Sequence, residues 1–395
     1  MRILQLCQKF HPNVASGSTV VVYNISRMLA KRGHQVTVFT SDMKDSSNRL
    51  KTSFVEQIDG IDVYRFRSFA TFITRNFKWF VTPQIISKLN NIKYFDIIHI
   101  HEHRNFQAMI IRYYVKNFAI PYVLQAHGSL PRFKPWDKLK WFYDLLFGYP
   151  LLRDASRVVA LSSWEAKQYK LIGILEKKIV TIPNGIDLSE YATLPPKGFF
   201  KSEYNIPQDK KIILYLGRIH RIKGIDFLIK AYAYLVKKIG YKDAILIIAG
   251  PDDGYLNEAK ALAKSLKIDD SIIFTGLLSK EEKINALVDS SLCAYLGPYE
   301  PFGIVTLEAA AASIPVVICE GTPMSEILKN GNFGFSVRYN DVVSLSSVML
   351  KILDDEELAS ALGRNGRKYV FENLGWEKII RKYEQMYKEI IENRV

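Results

Sequence analysis

The chain has 395 residues, room for two or three domains of ordinary size, and its composition of 48% hydrophobic and 24% charged residues excludes disordered, collagen-like and disulfide-scaffold classes. The net charge of +14 is lopsided: residues 1–190 hold 27 Lys and Arg against 14 Asp and Glu, and the remainder holds 27 against 26. Cys7, Cys293 and Cys319 stand far apart without C-x-x-C spacing, which excludes a disulfide framework or cysteine zinc site and fits a reducing cytoplasm. No run reaches the roughly 18 apolar residues that a membrane span needs, and the opening Met1-Arg2-Ile3-Leu4 reads as a buried strand rather than a secretory signal.

In chain order, residues 3–6 predict an apolar strand, residues 19–31 a helix and residues 36–39 a second strand, a βαβ unit. Strands over 61–66, 97–101, 122–125 and 158–161, with helical stretches between them, extend this to an open, mostly parallel α/β sheet. Pro195, Pro196, Gly198 and Pro207 predict a linker over 191–207. Beyond it, strands over 212–216, 245–249, 272–274, 292–295 and 315–318 alternate with helices over 225–238, 256–265, 280–289 and 305–312. Two Rossmann-like domains are therefore expected, 1–190 and 208–375. Residues 376–395 read as a terminal amphipathic helix, its apolar positions from Trp376 to Ile390 at helical spacing.

In the basic half, charge alternates with aromatics in Arg65-Phe66-Arg67-Ser68-Phe69, in Arg75-Asn76-Phe77-Lys78-Trp79-Phe80 and in Lys138-Leu139-Lys140-Trp141-Phe142-Tyr143. Such segments suit an anionic surface, a membrane or a nucleic acid, because Lys and Arg displace counterions while aromatic rings stack or sit at headgroup level. The alternative is a solvated basic surface with its aromatics in the core.

In a doubly wound sheet, ligands sit beyond the carboxyl ends of the strands. After residue 216 runs Gly217-Arg218-Ile219-His220-Arg221-Ile222-Lys223-Gly224, where the Arg218 fork and the Lys223 point charge suit a diphosphate. After residue 295 come Glu300 in a loop, Phe302, Gly303 and Ile304 at a helix start, and Glu308 about one turn inside. Helix-start amides attract phosphate, and carboxylates accept paired bonds from vicinal hydroxyls, so these types match a nucleotide sugar. Glu308 precedes four alanines in an apolar segment, and a buried carboxylate needs a partner. Asp252-Asp253 between Gly250-Pro251 and Gly254 reads as turn chemistry rather than a metal site. His99, His101 and His103 share a face only while their strand continues.

The order Gly217-Arg218, Lys223-Gly224, Glu300-x7-Glu308, an Ala-rich helix and Pro315-Val316-Val317 resembles the retaining GT-B glycosyltransferases of family 4. Ala15-Ser16-Gly17, Lys31-Arg32-Gly33-His34, His127-Gly128, Pro183-Asn184-Gly185 and Gly331-Asn332-Phe333-Gly334 extend the likeness over most of the chain. The resemblance implies two Rossmann-like domains facing a cleft, with the terminal helix crossing back to the first. It implies that Glu308 holds the ribose, that Glu300 contacts the transferred sugar, and that Arg218 and Lys223 hold the diphosphate. The Gly17 amide would approach the diphosphate from the other domain, and His127 would face the sugar. It also implies no cofactor or divalent metal, and transfer with retention by front-face attack. Ser16, Ser313 and the loop Gly321-Thr322-Pro323-Met324 depart from the family pattern, which leaves the sugar open.

The expected function is thus a cytoplasmic hexosyltransferase, peripheral on the inner membrane face, moving a hexose from a nucleotide diphosphate sugar to a glycan or lipid-linked acceptor, with no nucleic acid partner. A nucleotide-sugar epimerase or a non-catalytic nucleotide-sugar-binding subunit are the rivals. A dinucleotide dehydrogenase is disfavoured because no G-x-G-x-x-G follows the first strand.

Overall fold

The computed structural model describes residues 1–10, 17–45, 48–69, 79–131, 137–300 and 302–393. The chain forms two compact units, Met1–Gly185 with Trp376–Val395, and Ile186–Gly375.

The first unit is built on β1 (Arg2–Leu6), β2 (Gln35–Ser41), β3 (Val55–Ile58), β4 (Ile61–Phe66), β5 (Ile97–His101), β6 (Tyr122–Gln125), β7 (Arg157–Ala160) and β8 (Ile179–Thr181). They form one sheet in the order β3-β4-β2-β1-β5-β6-β7-β8, parallel except for β3. The central strands are buried on both faces because helices cover both, and β1, β5 and β6 carry the buried polar residues Gln5, His99, His101 and Gln125 among their apolar ones. Edge strand β3 went unpredicted: only alternate residues are shielded, and a two-residue Asp59-Gly60 turn with positive φ at both positions pairs it to β4. Helices α1 (Gly17–Lys31), α2 (Phe106–Asn117) and α3 (Ser163–Leu171) follow β1, β5 and β7.

The second unit holds β9 (Lys211–Leu216), β10 (Ala244–Ala249), β11 (Ile272–Gly276), β12 (Leu292–Tyr295), β13 (Val316–Cys319) and β14 (Gly334–Val337). This six-stranded sheet runs β11-β10-β9-β12-β13-β14, parallel throughout. Its helices are α4 (Ile225–Tyr234), α5 (Leu256–Ser265), α6 (Lys280–Asp289), α7 (Ile304–Ala311), α8 (Met324–Gly331), α9 (Val342–Asp354) and α10 (Glu356–Asn373). The predicted helix over 225–238 closes instead with a π turn, Leu235–Ile239.

The stretch expected as a linker, 191–207, is built into this second unit. Tyr191 and Phe200 are fully buried, and the Asp289 carboxylate accepts from the Gly198 and Lys201 amides at 2.5 and 3.0 Å. Its prolines and glycine are therefore fixed turn residues. The crossing points lie at Ile186 and Gly375, which form a bridge, with the Ile186 amide donating to Leu374 O.

The terminal helix α11 (Trp376–Glu392) packs in the first unit through the buried stripe Trp376, Ile379, Ile380, Tyr383, Met386, Tyr387 and Ile390. Polar contacts fix its register. Glu384 takes Arg32 Nη2 at 2.8 Å and His34 Nε2 at 2.7 Å, and Tyr383 donates to Gln125 Oε1 at 2.9 Å. Among the described residues no helix is long and apolar enough to cross a membrane. The three cysteines are free and buried, and burial pushes each thiol up to about 12.

Candidate functional site

In the second unit the strand order turns back between β9 and β12, so their carboxyl ends form the crevice where an open α/β sheet takes its ligand. Both strands end in the same tripeptide, Tyr215-Leu216-Gly217 and Tyr295-Leu296-Gly297. The two tyrosine rings stack at 6.0 Å, nearly parallel. Tyr215 donates to Arg218 O at 3.0 Å and so ties down the basic loop.

Lys223, predicted as a diphosphate ligand, reaches the loop after β12. Its Nζ lies 2.5 Å from Glu300 Oε2 and 3.2 Å from the Tyr295 hydroxyl, which itself donates to Glu300 Oε2 at 2.9 Å. Burial, then the Glu300 charge, raises the Tyr295 phenol well above its usual range, so it stays a donor. Gly224 makes this meeting possible: its φ is +70°, and a Cβ there would lie 2.4 Å from Leu296 O.

Gly303, with φ of +73°, caps α7 and turns the chain from the Glu300 loop into the helix. Phe302 is buried beneath it, Ile304 is half-buried, and Thr306 donates to Gly303 O at 2.6 Å. A helix start leaves its first N–H groups without partners in the helix, an anion-attracting end. Tyr295, Glu300, Phe302, Gly303 and Thr306 line a small pocket here.

The partner that Glu308 needs is Lys283 of α6, whose Nζ lies 2.6 Å from Glu308 Oε1. Glu308 also raises the buried Tyr191 phenol, after burial itself. Arg218 is half exposed and pairs with Asp253. Asp252 holds the same turn by accepting from the Gly254, Tyr255 and Leu256 amides at 2.9, 3.1 and 3.1 Å. The structure thus brings Lys223, Glu300, Phe302, Gly303 and Ile304 together, with Glu308 one turn further along α7.

His127 and Gly17 belong to the first unit. His127 has φ of +52° and its Nε2 lies 2.9 Å from His101 Nδ1, whose other nitrogen lies 2.7 Å from Gln5 Oε1. Burial lowers both rings well below the usual histidine range, His127 to about 3, so both are neutral. With Gln5 Oε1 accepting from His101, His101 Nδ1 accepts from His127, and His127 is left with a lone pair on Nδ1. The loop is held from behind by Glu165, which accepts from the Gly128 and Leu161 amides at 2.7 and 2.8 Å and is raised by burial to about 7.

The His99 and His101 rings lie 4.1 Å apart, tilted by 38°, but β5 ends at His101 and Glu102 takes φ of +66°, so His103 turns away to Ser129 and Asp144. Glu102 faces the switch between β1 and β5, accepting from Gln8 Nε2 at 2.8 Å and Ser18 at 3.3 Å. Gly17 opens α1 with open space where a Cβ would stand; Ala15 and Ser16 lie outside the described residues. Among the described residues no cluster of three His, Cys, Asp or Glu could hold a metal.

Sequence reasoning missed Tyr295, Lys283, Tyr191, Gln5 and Glu165. The repeated Tyr-Leu-Gly was a signal for Tyr295, whereas the partners of Glu308 and His127 arrive from other elements and leave no local pattern.

Two Rossmann-like units of this kind, with basic and acidic groups converging at a strand switch, define the GT-B class of glycosyltransferases. The chain belongs to the family 4 glycosyltransferases: residues 15–190 match Glycosyltransferase Family 4, and residues 197–369 match Glycosyl transferases group 1. It is 26% identical to an uncharacterized glycosyltransferase of Methanocaldococcus jannaschii, covering 99% of both chains. To the N-acetyl-alpha-D-glucosaminyl L-malate synthase of Bacillus anthracis it is 24% identical over 96% of each. The fold is similar to that of Anabaena HepE solved with UDP-glucose, at a TM-score of 0.76, 18% identity and coverage of 98% of this chain and 100% of that one.

Proposed function

We propose that this glycosyltransferase is a retaining, metal-independent hexosyltransferase that uses a nucleotide diphosphate sugar and delivers the hexose to a glycan or lipid-linked acceptor. It works in the cytoplasm, peripheral to an anionic membrane, in polysaccharide or glycolipid synthesis. The observation that carries the reading is the meeting of Lys223, Tyr295 and Glu300 at the β9/β12 switch, with the carboxylate of Glu308 on the next helix.

Each group has a role that its chemistry allows. Arg218 and Lys223 offset the charge of the leaving diphosphate, work that elsewhere falls to a divalent ion. The start of α7 faces the same phosphates. Glu308 accepts from the ribose hydroxyls and Glu300 from hydroxyls of the hexose. His127, held neutral, offers its Nδ1 lone pair to a sugar hydroxyl. The anomeric carbon exchanges its phosphate oxygen for the acceptor oxygen on the same face, and the acceptor proton passes to the departing diphosphate oxygen. That step needs no protein base.

HepE was solved with UDP-glucose, which makes uridine conjugates the first donors to try. A thermal-shift panel of UDP, GDP and ADP with their hexose conjugates tests the donor, because a ligand of the folded state raises its melting temperature. One nucleotide series should stabilise the protein, and Glu308→Ala should abolish the shift. No shift with any nucleotide would favour a non-catalytic subunit. Anomeric proton signals of the product test retention.

A further inference from the structure

Of the three basic-aromatic segments, the first has Arg65 and Phe66 buried, Arg65 paired to Glu56, and exposes only Arg67 and Phe69, and residues 75–78 of the second lie outside the described residues. The third is different. Residues Asp137–Tyr143 form a short helix that runs on as a π turn, Asp144–Gly148. Leu139, Trp141, Phe142, Leu145, Leu146 and Phe147 are each between 38% and 53% exposed, the densest run of exposed large apolar residues among those described.

The segment is inside out. Asp144, one of its two acids, is fully buried and takes Arg104 Nε and Nη2 at 2.8 Å each. Arg104 also donates to Leu130 O at 2.8 Å, Tyr143 donates to Asn105 O at 3.1 Å, and Trp79 packs edge-on to the Tyr143 ring at 5.3 Å. Polar bonds therefore clamp the segment to the unit while its apolar side chains face outward. Asp144 and Gly148, four residues apart and so about one turn along, take the inner face, which leaves Leu145, Leu146 and Phe147 outside. A contiguous apolar patch on a folded unit marks a surface that something covers.

Charge identifies what covers it. Lys138 is exposed and Lys140 half exposed beside the apolar residues, the one acid between 138 and 147 is turned inward, and residues 1–190 carry the protein's excess of positive charge. Trp and Phe at headgroup depth, leucines below them and lysines toward lipid phosphates are the parts of an interfacial helix. We infer that residues 138–147 are the membrane-docking surface, inserting shallowly into a bilayer with anionic headgroups. This rests on the peripheral reading above and names the surface that performs it. It needs neither the sugar nor the nucleotide base.

The test is co-sedimentation of the full chain with vesicles of phosphatidylcholine alone or with phosphatidylglycerol added, at low and high salt. The wild type should bind the anionic vesicles, and salt should weaken that binding. A Trp141→Ser/Leu145→Ser variant should bind at least about tenfold less, and Lys138→Glu should weaken binding and flatten its salt dependence. The substituted side chains are exposed, so melting temperature should be unchanged, and a normal nucleotide shift in the same variants checks the second unit. Hydrogen exchange of the wild type is the independent readout, with vesicle-induced protection expected over 138–148. No vesicle binding by the wild type would overturn the peripheral reading and this surface together. Binding retained by the double variant, or protection elsewhere, would overturn the surface alone, as would a wild-type dimer that the double variant loses.

Discussion

Lys223 and Glu300 come from loops 77 residues apart and meet at 2.5 Å, with both side chains largely buried and Tyr295 bonded to each. A buried pair of this kind is strongly coupled: removing one charge leaves the other desolvated and alone, a loss of about 3 kcal/mol. Lys223→Met should therefore destabilise the second unit by that order. Lys223→Met/Glu300→Gln, which removes both charges, should recover at least half of the loss. Urea unfolding of the two variants measures this, and the double variant should still fail to turn over donor.

Arg218 and Asp253 form a pair of the opposite kind, half exposed on a turn. An exposed pair contributes little to stability, but Asp253 occupies the Arg218 fork that is proposed above to take the diphosphate. Asp253→Asn should leave the melting temperature within a degree or so and tighten nucleoside diphosphate binding by about threefold. Calorimetric titration checks it.

Lys283 has no family motif to recommend it, yet it is the cation on Glu308. Lys283→Ala should weaken nucleotide binding by roughly fivefold, about 1 kcal/mol, by releasing that carboxylate. Turnover at saturating donor should change less, which would separate the ribose contact proposed for Glu308 from the transfer itself.

Acid should destabilise the first unit through its histidines. His99, His101 and His127 are held below their unfolded values by burial, so the unfolded chain takes up protons first and stability falls as pH drops below about 6.5. Glu165 acts in the other direction. Burial raises it to about 7, so between pH 7 and its unfolded range near 4.5 the folded form binds the extra proton and gains stability on acidification. Glu165→Gln removes that compensation, and its stability should fall more steeply between pH 6.5 and 4.5 than the wild type's. Unfolding curves across that range decide it.

The parallel core was legible because strands buried on both faces must be apolar runs and helices between them carry a 3.6-residue period; β9, β10 and β12 show this directly. Edge strand β3 was not, since half of its residues face solvent. The 191–207 stretch misled because proline and glycine mark turns whether or not a turn is packed, and here Asp289 packs it. At the site, Arg218, Lys223, Glu300 and Glu308 were readable as charged residues at strand ends and a helix start. Their partners Asp253, Tyr295 and Lys283 were not, because a tertiary contact between loops leaves no spacing in the chain.

The basic and acidic groups at the β9/β12 switch are proposed above to turn over a nucleotide diphosphate hexose. Following donor consumption by NMR in the wild type and in Arg218→Ala tests it most directly. The wild type should release nucleoside diphosphate, at a rate at least about a hundredfold above that of the variant. Donor turnover by Arg218→Ala near the wild-type rate would contradict it.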